Sequence, residues 1–314
     1  KSSILLVLPL LKLCNAFSIP RQQLSRRKTA TRVLAFRPEL LETWQLDKVS
    51  FPSWLTSHES KLSIGPWNTS VSPNQRLVFA EFWNWHLDFL ESNLSNLRPL
   101  PATNRDNSID FSLVQDEKSH MVNLCFRSDE YRKIRMSHFD GGKQIQVLQA
   151  LWYPDPKYNL PVLGIEMAQF GGGTGHMMAS DFQPIHDSES DHAVLYTPLI
   201  KKIREKYPLL QGRMSDRYYD YTHFNDFMLF SRFDDERYID TDVVPAVKEY
   251  TRAHVNMIQE LKPDDTAIPK VMERQAAFDT YFAERDQAIH MFKAKFGKQW
   301  AEDFVYDFLF ELSR

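Results

Sequence analysis

Alternation of apolar and polar positions is clearest over residues 144–183, where three apolar runs are separated by two clusters of chain-breaking residues. Ile145, Val147, Gln149, Leu151 and Tyr153 share one face, and Pro154, Pro156, Asn159 and Pro161 then interrupt the run. This pattern predicts a strand followed by a proline-stiffened hairpin loop. In the second run Leu163, Ile165 and Met167 point one way, and Val162, Gly164, Glu166 and Ala168 point the other. Glu166 is therefore a mid-strand carboxylate among small residues, which leave room for something broad and flat. Such a group is costly unless it is paired, hydrated or required by chemistry, and a shifted pKa is expected. Gly171-Gly172-Gly173-Thr174-Gly175 leads into the third run. No Lys-Ser/Thr follows it and no parallel βαβ unit surrounds it, so it reads as a hairpin turn and not as a phosphate loop.

On either side the period changes. Residues 73–98 place Phe79, Phe82, Trp83, His86, Leu90, Leu94 and Leu97 at helical spacing before Arg98-Pro99-Leu100-Pro101 ends the run. Short alternating runs over 109–139, closed by Asp140-Gly141-Gly142, predict further strands of an antiparallel meander. Residues 195–207 look helical and 227–233 look like one more strand. The segments 243–261, 268–295 and 300–312 have helical spacing, broken at Pro263 and Gly297. Strands first and helices mostly afterwards indicate an α+β domain whose sheet is covered by helices.

Composition adds a leader. Residues 4–11 are an apolar run behind Lys1, about half the length a membrane span needs, and Cys14-Asn15-Ala16 follows as a cleavage signal. Residues 17–35 contain Ser, Thr and Arg but no Asp or Glu, as organelle transit peptides do. The expected organisation is a signal peptide at 1–16, a transit peptide and poorly ordered linker at 17–60, and one domain at 61–314. Such a bipartite leader, with Phe17 at the junction, is like those that carry proteins into the stroma of plastids bounded by extra membranes. Without residues 1–35 the formal charge moves from −3 to −10, with 31 basic residues against 41 acidic. That charge argues against a nucleic-acid partner. One cysteine, Cys125, then remains, which excludes a disulfide framework and cysteine-held zinc or iron–sulfur sites.

Candidate chemistry is sparse. No GxGxxG precedes a helix and no nucleophile elbow surrounds a serine. His186, Asp187, Asp191 and His192 lie in a polar stretch without the spacing of a preformed metal site, and no metal is expected. Asp286 lies four residues after Phe282, on the packing side of a helical stripe formed by Phe278, Phe282, Ile289, Met291, Phe292 and Phe296. An acid there also suits a structural partner for Arg285 or Arg274.

The segments LQALWYPDPKYNLPVLGIEM, ASDFQPIH and ERDQAIHMFKAKFGKQWAEDFVYDFLFEL resemble the ferredoxin-dependent bilin reductases, from about Arg98 onward. The resemblance implies a three-layer α/β/α sandwich with a central antiparallel sheet flanked by helices, and a bilin held between the sheet and the C-terminal helices. It also implies that no metal or flavin is bound and that reduced ferredoxin delivers single electrons. The family's sheet carboxylate falls at Glu166, where many members have Asp, and its C-terminal helix acid falls at Asp286. The histidine of the phycocyanobilin-forming members falls at Gln149. Asp140 lies close to an additional acid of the phytochromobilin-forming members, and His176 falls near a position that contacts substrate. The catalytic set expected from the resemblance is therefore Asp286, Glu166 and Asp140, with Gln149, His176 and Arg285 binding substrate.

These departures point to the A-ring diene, so the expected reaction is ferredoxin-dependent reduction of 15,16-dihydrobiliverdin to phycoerythrobilin in phycobilin biosynthesis. Reduction of the 15,16 bridge of biliverdin and formation of phytochromobilin are the alternatives within this chemistry. A non-catalytic bilin carrier or lyase-like module is the alternative outside it. Expected partners are ferredoxin, the bilin and the preceding bilin reductase, which would hand over substrate; the mature protein is expected to be a monomer away from membranes. Arg132, Lys133, Arg135 and Lys143 are the candidate contacts for ferredoxin.

Overall fold

The computed structural model describes residues 76–116, 118–185, 190–214 and 223–314. The expected leader and linker lie outside the described residues, as do His186 and Asp187 and the side chains of Asp191 and His192. The strands are β1 (Arg98–Pro99), β2 (Leu113–Asp116), β3 (Ser119–Arg127), β4 (Tyr131–Asp140), β5 (Ile145–Pro154), β6 (Val162–Phe170), β7 (Gly175–Gln183) and β8 (Leu229–Phe233). They form one antiparallel sheet in the order β1-β3-β4-β5-β6-β7-β8, with β2 also paired to β3. The meander read from the sequence is this sheet. The proline hairpin joins β5 to β6. The glycine run turns β6 into β7 with Phe170 opposite Gly175. Gly171, Gly172 and Gly173 have φ of 64°, 72° and 96°, a left-handed path that residues with a Cβ adopt only under strain.

Because successive strand side chains alternate, each strand faces two layers. Ile134, Met136, Leu148, Ala150, Leu163, Ile165, Met167 and Met178 face helices α1 (Ala80–Asn93), α2 (Ser190–Lys206) and α3 (Val244–Glu260), where Phe82, Trp83, Leu90, Tyr196 and Tyr250 complete the core. On the other face lie α4 (Ile268–Arg285), α5 (Ala288–Phe296) and α6 (Lys298–Asp303), the last continued by a wide turn at Phe304–Leu309. Met121, Phe139, Leu151 and Tyr153 of the sheet pack there against Val271, Phe278, Phe292, Phe304 and Phe308. Each such buried side chain contributes roughly 1.5–3 kcal/mol, and the sum over two faces fixes the register of the strands. The protein is an α+β sandwich of three layers.

Charged groups tie the C-terminal layer to the sheet. Arg132 and Lys133 of β4 both pair with Glu311, and Lys133 also donates to the Phe308 carbonyl at 2.6 Å. Arg132 Nε donates to Gln275 of α4 at 2.9 Å. The Tyr153 hydroxyl donates to Asp279 at 2.7 Å, and the second oxygen of Asp279 accepts from the Leu312 amide at 3.0 Å. Arg132, Lys133 and Arg135 are all buried, so they are not the ferredoxin contacts expected from the sequence. β3 and β5 flank β4 on both sides, which leaves it inside the sheet and not at an edge. Lys143, at the turn into β5, is exposed. Glu311→Gln would leave two buried cations facing a neutral amide, and a loss of roughly 3 kcal/mol is expected. A denaturation midpoint equal to wild type would show that the pair contributes no net stability.

Candidate active site

Between the sheet and the α4–α5 layer lies a cavity of about 690 Å³, within the size range of pockets that enclose a whole small ligand. Its floor is the alternate set of strand residues: Arg135, Ser137 and Phe139 of β4, Val147, Gln149 and Leu151 of β5, Gly164 and Glu166 of β6, and Met177, Ala179 and Asp181 of β7. Phe278, Tyr281, Phe282, Asp286, Met291 and Phe292 close it from the helical side. Flat aromatic walls and polarisable methionines suit a conjugated, apolar ligand.

Glu166 stands mid-floor, half-buried, directly across the ladder from Gln149. Its carboxyl is raised to about 7, first by burial and then by the charge of Asp286, with the Arg135 guanidinium opposing the rise. A Cβ on Gly164, itself on the cavity floor, would stand 2.6 Å from Oε1 of Gln183, so this glycine also makes room for that side chain.

Asp286 occupies a break that helical spacing over 268–295 does not reveal. It has φ −63° and ψ 110°, extended backbone between α4 and α5. Its Oδ1 accepts the Ala288 amide at 2.7 Å, a local bond by which aspartate competes with continued helix. The break turns the carboxyl toward the cavity. Burial raises its pKa, against the lowering effects of the Ala288 amide and Arg135. The structural partners considered for it are engaged elsewhere: Arg274 donates to Asn159 at 3.1 Å, and Arg285 lies over the Tyr281 ring at 4.0 Å and beside Glu284.

Four of the six expected site residues thus meet in one cavity: Glu166, Asp286, Gln149 and Arg285. Asp140 and His176 do not. Asp140 has the opposite parity to Ser137 and Phe139. It pairs across the ladder with Gln146, whose amide bonds Arg76 and Val78 ahead of α1, so it faces the other helical layer. Its Oδ1 accepts the Gly142 amide at 2.8 Å, a turn-stabilising role. His176 stacks on Phe233 with ring centres 5.1 Å apart and lies beside Gln169, also away from the cavity. In both cases a one-residue displacement in register reverses the face. The structure adds Arg135 and Ser137 to the site. Counting alternation back from Phe139 places both on the floor, a signal present in the sequence.

The family described as ferredoxin-dependent bilin reductase matches residues 86–311. This chain belongs to that family. Among its relatives is a 15,16-dihydrobiliverdin:ferredoxin oxidoreductase of Nostoc punctiforme, 32% identical over 231 residues that cover 72% of this chain and 93% of the relative. A phycoerythrobilin:ferredoxin oxidoreductase of the same organism is 25% identical over 244 residues, covering 76% of this chain and 94% of the relative. The fold matches that of a crystal structure of phytochromobilin synthase from tomato in complex with biliverdin, with a TM-score of 0.64 at 21% identity over 75% of this chain and 85% of that one. This bilin reductase is an oxidoreductase that draws its electrons from ferredoxin. Its cavity presents two carboxylic acids on opposite walls, one of them poised near neutrality, which equips it to deliver protons to a flat conjugated substrate.

Proposed function

We propose that this bilin reductase reduces biliverdin across its 15,16 bridge to 15,16-dihydrobiliverdin, the first step toward phycoerythrobilin. The observation that carries the reading is the pair Glu166 and Asp286 on opposite walls of one cavity, in a chain of this family. Its similarity to 15,16-dihydrobiliverdin:ferredoxin oxidoreductases of Nostoc punctiforme (32%) and Gloeobacter violaceus (30%) supports the choice of bond. The A-ring expectation drew on Gln149 in place of the family's histidine and on Asp140 as a further acid; Gln149 lines the cavity and Asp140 does not.

Reduction of one double bond takes two electrons, one from each of two reduced ferredoxins, and two protons, one to each carbon. Each added electron makes the tetrapyrrole more basic, so a proton donor must stand within reach of the carbon concerned. Glu166 serves one face from the sheet and Asp286 serves the other from the helix break. Both are half-buried, so solvent can return their protons between turnovers.

A second reading, reduction of 15,16-dihydrobiliverdin to phycoerythrobilin, draws support from the 25% identical phycoerythrobilin:ferredoxin oxidoreductase, which spans slightly more of the chain. An anaerobic assay with each bilin and a ferredoxin-reducing system separates the two. Loss of biliverdin with a shift of absorption to shorter wavelength, as conjugation to the D-ring is cut, is the expected result. Phycoerythrobilin formed from dihydrobiliverdin while biliverdin stays untouched would favour the second reading, and consumption of neither would overturn both. The leader composition supports delivery to a plastid, which a fluorescent fusion of residues 1–60 to a reporter would test.

A further inference from the structure

We propose that Arg135 is a positioning residue for this reaction: from the cavity floor its guanidinium turns the Gln149 carboxamide so that the NH2 meets the tetrapyrrole, and it supplies the fixed positive charge against which Glu166 and Asp286 hold their protons. The proposal rests on the cavity being the bilin site.

The geometry behind it is specific. Arg135 is 0% exposed, and its Nη1 donates to Oε1 of Gln149 at 3.0 Å and to Ser137 Oγ at 3.4 Å. A guanidinium only donates hydrogen bonds, so the carboxamide oxygen must be the half that faces it. The Gln149 NH2 is thereby left as a donor on the half-buried, cavity side, beside its ladder partner Glu166. A donor there matches the lactam carbonyl oxygens of a bilin, which become more electron-rich once the pigment accepts an electron. Gln149 is thus fixed as a donor without carrying a titrating proton of its own.

Electrostatics supply the second half. Among the described residues Arg135 Nε and Nη2 have no hydrogen-bond partner, so no direct ion pair there neutralises the guanidinium. The ionisable groups around the guanidinium are Tyr153 and Cys125 of the sheet, Asp279 and Asp286 of the helical layer, and Glu166 beside it on the floor. Asp279 is already bonded to Tyr153 and the Leu312 amide, and burial pushes the Cys125 thiol up to about 11. Glu166 and Asp286 are therefore the groups whose protons the charge governs. With the cation in place both acids release protons more readily than burial alone would allow. Arg135 gives up no proton in the cycle; the two electrons still come from ferredoxin and the two protons from the acids.

The test compares Arg135→Gln, Arg135→Lys and Gln149→Leu with wild type, measuring kcat and KM against pH and titrating the absorption of bound biliverdin. Arg135→Gln is expected to bind bilin and to lose about 10-fold in kcat near neutrality. Its alkaline limb should move up by about one pH unit, because removing a neighbouring cation raises the pKa of an acid. Arg135→Lys should return that limb toward wild type, since it restores the charge. Gln149→Leu should raise KM and leave the limb in place. A limb in Arg135→Gln that coincides with wild type overturns the electrostatic role, and wild-type KM and kcat in Gln149→Leu overturn the donor role. If Arg135→Gln fails to fold, Arg135→Lys and Gln149→Leu decide: wild-type kinetics in both overturn the proposal, and a raised KM in Gln149→Leu supports it. If wild type binds bilin and reduces neither substrate, the reaction assigned above fails, and the absorption titration of Arg135→Lys against Arg135→Gln decides the role of the charge by the same criterion.

Discussion

Asp286→Asn is expected to leave bilin binding within a few-fold of wild type and to lower turnover by about 10²- to 10⁴-fold, the range set by loss of a positioned general acid. The substitution conserves shape, and the new side chain still offers an oxygen to the Ala288 amide that Oδ1 accepts now. The break between α4 and α5 therefore survives, and what disappears is the proton. With electrons still delivered, the pigment should stop after one of them, and a bilin radical should accumulate under single-turnover conditions where wild type proceeds to product. Radical yield by electron paramagnetic resonance and product yield by chromatography check this together. Product at the wild-type rate would make Asp286 a helix-start residue only.

The sheet was legible because its period is plain: alternation over residues 109–183, short turns and the two breaker clusters leave little freedom for the meander. The cavity acids were legible for a different reason, since Glu166 breaks a pattern and a pattern break in a buried strand needs an explanation. Three things could not be read. The helix break at Asp286 depends on one side chain capturing a backbone amide, and the apolar stripe runs through it unchanged. The burial of Arg132 and Lys133 depends on Glu311, which is about 180 residues away in sequence, and no local period carries that pairing. Asp140 and His176 were assigned by a resemblance aligned to within a residue or two, and in a strand one residue is the difference between the two faces. Parity against neighbours in the same strand was the better guide. It places Ser137 on the floor and Asp140 behind it.

Glu166→Gln is expected to slow the enzyme and stabilise it at once. The folded protein holds this proton with a pKa of about 7, against an ordinary value of 4.5. Between those two values the folded chain binds more protons than the unfolded one, so stability falls as pH rises through that window, and above it the full difference is lost. At 1.36 kcal/mol per pKa unit the penalty is about 3 kcal/mol for the wild type near pH 8 and close to nothing near pH 4. Glutamine has no charge to desolvate, so Glu166→Gln should melt several degrees above wild type near pH 8 and converge with it in acid. Turnover should move the opposite way, down by about 10²-fold with bilin still bound, because the sheet-side proton is gone. Melting temperature across pH and anaerobic turnover are both needed. A variant that is stabilised yet reduces bilin at the wild-type rate would show Glu166 to be a strained carboxylate without a part in proton delivery. One that is slowed without any alkaline stabilisation would show that solvent reaches the group more freely than its position among Arg135, Gln149 and Asp286 implies.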